Sequence, residues 1–338
     1  MMATKRHNKA QKPSCATAAK WFNYLLLMFR GFSCLFVAIL WLALAMTALE
    51  CNAQFAGPKR LPPYELRKIA AAGGKPERFA ETPGYTCGSP DWSPDGKLIA
   101  YDTWRIGQTF NESKIAVILA DGTKSTIIGD GGMPSWSPDG KQLTCHTYGN
   151  PQSIIVMNAD GSGRETIIHH WGSPRWLPRG NRIASLGVNS QIFVFDLAVG
   201  KEQSILPERY SSTFHYVSEI GFGISPDGSR FCFGGGNDGL FLATLDERTM
   251  QCSLGWLLRE GRVRHCSWSP DGKRVAFGYR PDDEALEQIF VFDFDAKSAA
   301  RLPGLDEKRN NSCPDWSPDG KTIIFVSQDP TKIPTLPK

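Results

Sequence analysis

The chain has 338 residues, 41% of them hydrophobic and 21% charged, with a formal net charge of +4 at neutral pH. That excess is local: residues 1–53 hold six basic side chains (Lys5, Arg6, Lys9, Lys12, Lys20, Arg30) and one acid, Glu50, while 32 basic and 33 acidic side chains follow from Gln54 onward. The body of the chain thus lacks the basic footprint of a nucleic-acid-binding domain, and its scattered cysteines include no Cys-x-x-Cys pair, which argues against zinc and thioredoxin-type chemistry.

In chain order, a basic segment comes first, followed by the uncharged run 31–49. At about 1.5 Å per residue, a helix of that run spans roughly 28 Å, close to a bilayer core. It is longer than the core of an ordinary signal peptide. Cys51-Asn52-Ala53 nevertheless places small residues three before and one before a cleavage point. Residues 1–53 are therefore expected to form a hydrophobic helix, either a cleaved signal peptide or an uncleaved membrane anchor. In both cases the basic flank stays in the cytoplasm, and the remainder is periplasmic or extracellular. Residues 54–63 read as a Pro-containing linker.

From Tyr64 the pattern changes. Trp92-Ser93-Pro94-Asp95-Gly96-Lys97 returns at Trp136, Trp268 and Trp316, with weaker copies at Trp176-Leu177-Pro178-Arg179-Gly180-Asn181 and Ile224-Ser225-Pro226-Asp227-Gly228-Ser229. The glycines Gly96, Gly140, Gly180, Gly228, Gly272 and Gly320 are 44, 40, 48, 44 and 48 residues apart. A fixed period of that length signals a repeat architecture. Pro-Asp-Gly is turn chemistry, which makes the recurring aspartates structural despite their look of a carboxylate array. The third residue after each glycine is large and apolar: Ile99, Leu143, Ile183, Phe231, Val275, Ile323. Such alternation predicts a strand with one buried face. A second hairpin follows in each copy, its first strand reading, for example, Ile115 to Leu119 or Ile289 to Phe292, with turn signals at Asp121-Gly122, Asp160-Gly161 and Gly200-Lys201. Each repeat is thus a four-stranded sheet with two apolar faces, and radial stacking buries both.

The last copy has only two strands before its Pro-rich tail, 331–338. The stretch Tyr64 to Phe79, with its Gly73-Gly74 turn, supplies the two that are missing. The expected fold is all-β: a six-bladed β-propeller over residues 64–330, closed by amino-terminal strands that complete the last blade. The longest insertion, Leu206 to Gly221, carries Arg209, Tyr210, Phe214, His215 and Tyr216 and reads as a lid or partner-contact loop, or as packing over a blade edge. Cys87 and Cys313 fall in neighbouring blades, where a disulfide or two core thiols are both open.

The repeat Pro-x-Trp-Ser-Pro-Asp-Gly-Lys, an alternating strand, an Ile-x-Val strand and a turn together resemble the TolB-type propeller repeat over residues 64–327. The resemblance implies a non-enzymatic scaffold in the cell envelope that binds a protein or peptide partner. The α/β domain that precedes the propeller in TolB has no counterpart between the leader and Tyr64. Prolyl oligopeptidases carry similar repeats, but no Gly-x-Ser-x-Gly elbow is present, since Asp227 follows Gly223-Ile224-Ser225-Pro226. Oligogalacturonate lyases also use such propellers with channel histidines that bind metal, which makes a metal-dependent carbohydrate-active lyase or hydrolase the alternative.

In a propeller the first strand of each blade lines the channel. The residues just before the repeat tryptophan form a candidate binding ring: Asp91, Ser135, Arg175, Gly223, Ser267 and Asp315. Asp91 and Asp315 lie in adjacent blades and offer a site for a cation or a partner's ammonium group; Arg175, nearly opposite, offers one for a carboxylate. A hydrated channel without a ligand is the plain alternative. His169 and His170 before blade three, and Arg264 and His265 before blade five, mark a candidate channel mouth. Adjacent strand residues face opposite sides, so at most one of each pair looks inward. No cofactor is expected beyond that possible channel cation; the partners expected are an envelope protein or peptide and, if the leader persists, the membrane. The protein is expected to be a monomer.

Overall fold

The computed structural model describes residues 63–80, 83–169, 172–179, 181–187, 191–207, 221–235, 238–282 and 284–332. The leader, the linker up to Pro62, His170, the aromatic residues of the insertion and the end of the tail lie outside the described residues.

The repeat turn is held by its own side chains. Ser93 Oγ–H donates to Asp95 Oδ1 (2.7 Å), which also accepts Lys97 N–H (3.1 Å), while Ser93 Oγ accepts Leu98 N–H (2.9 Å). The same three bonds recur at Ser137–Asp139, Ser225–Asp227, Ser269–Asp271 and Ser317–Asp319. These bonds hold the aspartates below the usual carboxylate range, Asp227 at about 2. Blade three departs from the pattern because Leu177, buried in the neighbouring core, occupies the serine position. Among the described residues its turn has the backbone bond from Leu177 N–H to Arg182 O (2.9 Å) and a long one from Arg182 Nη2 to Arg179 O (3.5 Å).

After each turn the chain enters a strand. The six third-after-glycine residues are all at most 1% exposed. Burying a side chain of that size contributes about 1.5–3 kcal/mol, so this position is a main source of stability in every blade. Six four-stranded antiparallel sheets result. The first blade is β3 (Tyr85–Trp92), β4 (Leu98–Arg105), β5 (Lys114–Leu119) and β6 (Thr126–Asp130); the second begins with β7 (Gly132–Trp136), the third with β11 (Gly172–Trp176), the fourth with β15 (Gly223–Ile224), the fifth with β19 (Arg262–Trp268) and the last with β23 (Asn310–Trp316).

Closure is as the sequence predicts. β1 (Tyr64–Ala70) pairs with β24 (Thr322–Gln328) from Tyr64↔Gln328 to Ala70↔Thr322, and β2 (Glu77–Ala80) pairs with β1 on its outer side. Polar clasps reinforce the seam: Arg309 Nη2 donates to Glu65 Oε1 (2.7 Å) and Asn310 Nδ2 to Tyr64 OH (2.9 Å). The core lies between blades. Leu66, Cys87, Ile99, Ile324 and Val326 form one cluster across the seam, so the two chain ends share apolar surface with blade one.

Candidate functional site: the central channel

The inner strands enclose a cavity of about 220 Å³. All six ring residues line it: Asp91, Ser135, Arg175, Gly223, Ser267 and Asp315. The repeat tryptophans border the same space while their rings pack into the clusters between blades.

The ring side chains also join one blade to the next. Trp136 N–H donates to Asp91 Oδ2 (2.8 Å), Trp176 N–H to Ser135 Oγ (3.4 Å), Trp316 N–H to Ser267 Oγ (3.1 Å) and Trp92 N–H to Asp315 Oδ2 (2.8 Å). Four ring residues, Asp91, Ser135, Ser267 and Asp315, thus accept from the tryptophan backbone of the following blade. Two steps of the ring lack this bond. Arg175 has no acceptor to offer, and Gly223 has no side chain. A Cβ at Gly223 would sit 2.6 Å from Cys266 O, so the close approach of blade five requires glycine there.

Asp315 carries the largest load, because its Oδ1 also accepts Ser267 Oγ–H (2.7 Å). Burial first, then the neighbouring Asp91 carboxylate, push the Asp315 carboxyl up to about 7, against Trp92 N–H, Ser267 and Arg175. Burial likewise raises Asp91, opposed by Arg175 and then by Trp136 N–H. Two carboxyls that interact through a poorly solvated cavity favour sharing a proton or recruiting a positive charge.

Arg175 does not stand alone across the channel. Its Nη1 donates to Pro134 O (2.9 Å) and lies 3.9 Å from Asp91 Oδ1. A guanidinium in a half-closed cavity is costly without partners, and the long side chain finds one on blade two, Pro134 O, and one beyond it on blade one, Asp91. One cation therefore faces two carboxyls.

The three described mouth residues, His169, Arg264 and His265, separate; His170 lies outside the described residues. His265 lines the cavity, with Nδ1 3.2 Å from Cys313 Sγ. Burial, then Arg264 and Arg175, lower the His265 imidazole to about 3, so it is neutral at physiological pH. Burial first, then Glu287, push the Cys313 thiol up to about 12. Arg264 lies outside the lining, its Nε 3.9 Å from Glu287 Oε2. His169 is exposed at the end of β10 (Glu165–Ile168), 3.1 Å from Ser153 Oγ, and is not among the cavity residues. His169 and His265 are thus not brought together. Among the described residues, no three of His, Cys, Asp and Glu converge as a metal-ligand set. Cys87 and Cys313 are free thiols, Cys87 donating to Tyr64 O (3.3 Å).

A feature that sequence reasoning missed lies three residues before the tryptophan. Ser89, Met133, His265 and Cys313 all have left-handed backbone, with φ of 39°, 55°, 43° and 50°, and Gly221 holds the same slot at 105°. The register against the next strand slips at Ser89, Met133, His265 and Cys313. Each is a bulge that re-aims a side chain. Ser89, His265 and Cys313 reach the cavity this way. The glycine at 221 was the one available sequence signal. Behind Ser89 sits Asp102, a buried carboxyl that accepts Met133 N–H (2.9 Å) and is raised by burial to about 6.

Strand topology and closure together define a six-bladed propeller, a fold the chain shares with solved TolB structures. A candidate TolB from Agrobacterium tumefaciens matches with a TM-score of 0.61 at 18% identity, over 80% of this chain and 99% of that one. TolB from Acinetobacter baumannii matches at 0.55 and 17% identity, over 82% and 67%. In sequence, an uncharacterised protein of Agrobacterium fabrum is 29% identical over 160 residues, 46% of this chain; the chain spans about half the length of that relative. No family model matches the sequence.

Proposed function

We propose that the chain is an exported, non-enzymatic propeller that binds a protein or peptide partner in the cell envelope at the mouth of its central channel. The observation that carries this reading is the Asp91–Asp315 pair on the cavity wall, opposed by the single guanidinium of Arg175. The pair suits a partner's lysine or terminal ammonium, with Ser135 and Ser267 as further hydrogen-bonding groups. The likeness to TolB structures supports the propeller scaffold, and the uncharged run 31–49 supports export or tethering to the inner membrane. A small cation is the other occupant that the same two carboxyls would take.

The test is capture from envelope extract by the purified protein, with the parent compared to Asp91→Asn/Asp315→Asn. A partner held by the parent and lost by the folded variant supports the reading; equal capture by both overturns it. Calcium-dependent melting of the parent, abolished in the same variant, would assign the pair to a small cation instead.

A further inference from the structure

Away from the channel, a second concavity of about 740 Å³ lies between the first two blades. Its walls come from the loop after β4, the edge strand β6 and the loop after β8 (Gln142–Thr147). Trp104, Arg105, Ile127, Tyr148 and Arg164 line it. Two physical features set it apart.

The first is apolar exposure. Four large hydrophobic side chains are exposed among the described residues; one of them, Ile127, lines the groove, and another, Phe110, packs on its lining residue Tyr148. Ile127 is 50% exposed on the wall, and Phe110, 57% exposed, stands edge-on to Tyr148 with ring centroids 5.4 Å apart. Isolated exposed apolar residues are ordinary; two beside a concave, aromatic wall mark a contact site.

The second is charge. Lys114 is paired with Asp130, and the two cancel; Glu112 also lines the groove, so with Arg105 and Arg164 the wall keeps one net positive charge. Arg105 donates to Tyr85 OH (3.2 Å) and lies over that ring at 5.8 Å. Arg164 donates to Asp130 O (2.7 Å) and Met157 Sδ (3.3 Å). Neither guanidinium has a carboxylate partner within 4.0 Å among the described residues. Arginine's planar fork is built for carboxylates, and an aromatic face holds it in place for one.

We propose that this groove binds an acidic peptide segment of a partner protein, its carboxylates on Arg105 and Arg164 and an apolar side chain against Ile127 and the Tyr148–Phe110 pair. The exposed apolar side chains of Phe110 and Ile127 favour a peptide over an acidic sugar, whose hydroxyls would lose water against them without gaining a partner. This site is independent of the channel and of the partner assigned to it.

The probe is an acetylated, amidated pentapeptide of alternating aspartate and leucine, titrated calorimetrically into the purified protein. The controls are the lysine–leucine counterpart and trigalacturonate. Binding of the acidic peptide alone is expected, weakened about tenfold or more by Arg105→Gln and by Phe110→Ser, and weakened by added salt. Asp91→Asn/Asp315→Asn should leave it unchanged, which separates this groove from the channel. Both groove substitutions are at exposed positions, and matching circular dichroism spectra establish that they fold. No binding up to about 1 mM peptide, equal binding of the basic peptide, preference for trigalacturonate, or indifference to Arg105→Gln would each overturn the proposal.

Discussion

Replacing Asp315 with asparagine separates the two roles of that side chain. The amide keeps the shape: its oxygen still accepts Trp92 N–H, and its nitrogen faces Ser267 Oγ, which then acts as acceptor. What disappears is the titration. In the folded protein the Asp315 carboxyl is raised to about 7, by burial and then by Asp91, whereas in the unfolded chain it titrates near 3.9. Between those values the folded state binds the extra proton. The contribution is therefore fully present at low pH and is lost as pH rises from about 4 through 7. A displacement of about three units corresponds to roughly 4 kcal/mol. For a domain of this size that is on the order of 8–16 °C in Tm.

The groups that face Asp315 set the sign. Asp91 adds repulsion, while Trp92 N–H, Ser267 and Arg175 favour the ionised form. Thermal unfolding of parent and Asp315→Asn, followed by circular dichroism from pH 4 to 8, reads the difference directly. The variant should gain on the parent as pH rises and exceed it above pH 7. Parallel curves across that range would refute the argument that the carboxyl is held against its charge.

Two further outcomes are expected. Truncating Leu66, 1% exposed in the closing blade, to alanine should cost about 2–5 kcal/mol, as much as Leu143→Ala in mid-chain; a Tm within a degree or two of the parent in a melting scan would show that closure adds little. Replacing His265 by glutamine should act oppositely in pH to Asp315→Asn. The folded imidazole is lowered to about 3 by burial, Arg264 and Arg175, so its contribution is present above about 6.5 and lost as pH falls toward 3. The variant should therefore flatten the acid limb of the stability curve, read by urea unfolding at pH 4 and 7.

The parts of this fold legible in the sequence are those encoded locally and repeated. Pro-Asp-Gly, present in five of the six repeats, specifies a turn whose bonds span five residues, and copies in register allow each to check the others. Closure was legible as well, because a half-blade at one end and an unclaimed hairpin at the other leave one arrangement that pairs both. The channel is different. That Asp91, Ser135, Ser267 and Asp315 share a cavity follows from register alone. That each holds the next blade's backbone depends on the spacing between blades, which no single repeat encodes. The length of the Arg175 side chain likewise hides its partner: it folds back onto Asp91 across a blade, a contact 84 residues distant in sequence.

The left-handed residues show where period-two reasoning fails physically. An alternating strand assigns Arg264 and His265 to opposite faces, but a bulge adds a residue and resets which face comes next. At β19 the bulge residue is His265, and its ring lies on Gly221 of the neighbouring blade, where a Cβ would come within 2.6 Å of Cδ2. A non-glycine residue in that conformation costs about 1–3 kcal/mol. Four blades sustain the cost, and in three of them the side chain presented to the cavity is polar or a thiol: Ser89, His265 and Cys313. Blade three, with Ser173 in the same slot, keeps regular pairing from Gly172 to Trp176. An undistorted inner strand is thus available to this repeat. Four blades that adopt the costlier form must recover it through what the bulge makes possible, either tighter seating of adjacent blades or the chemistry it turns toward the channel.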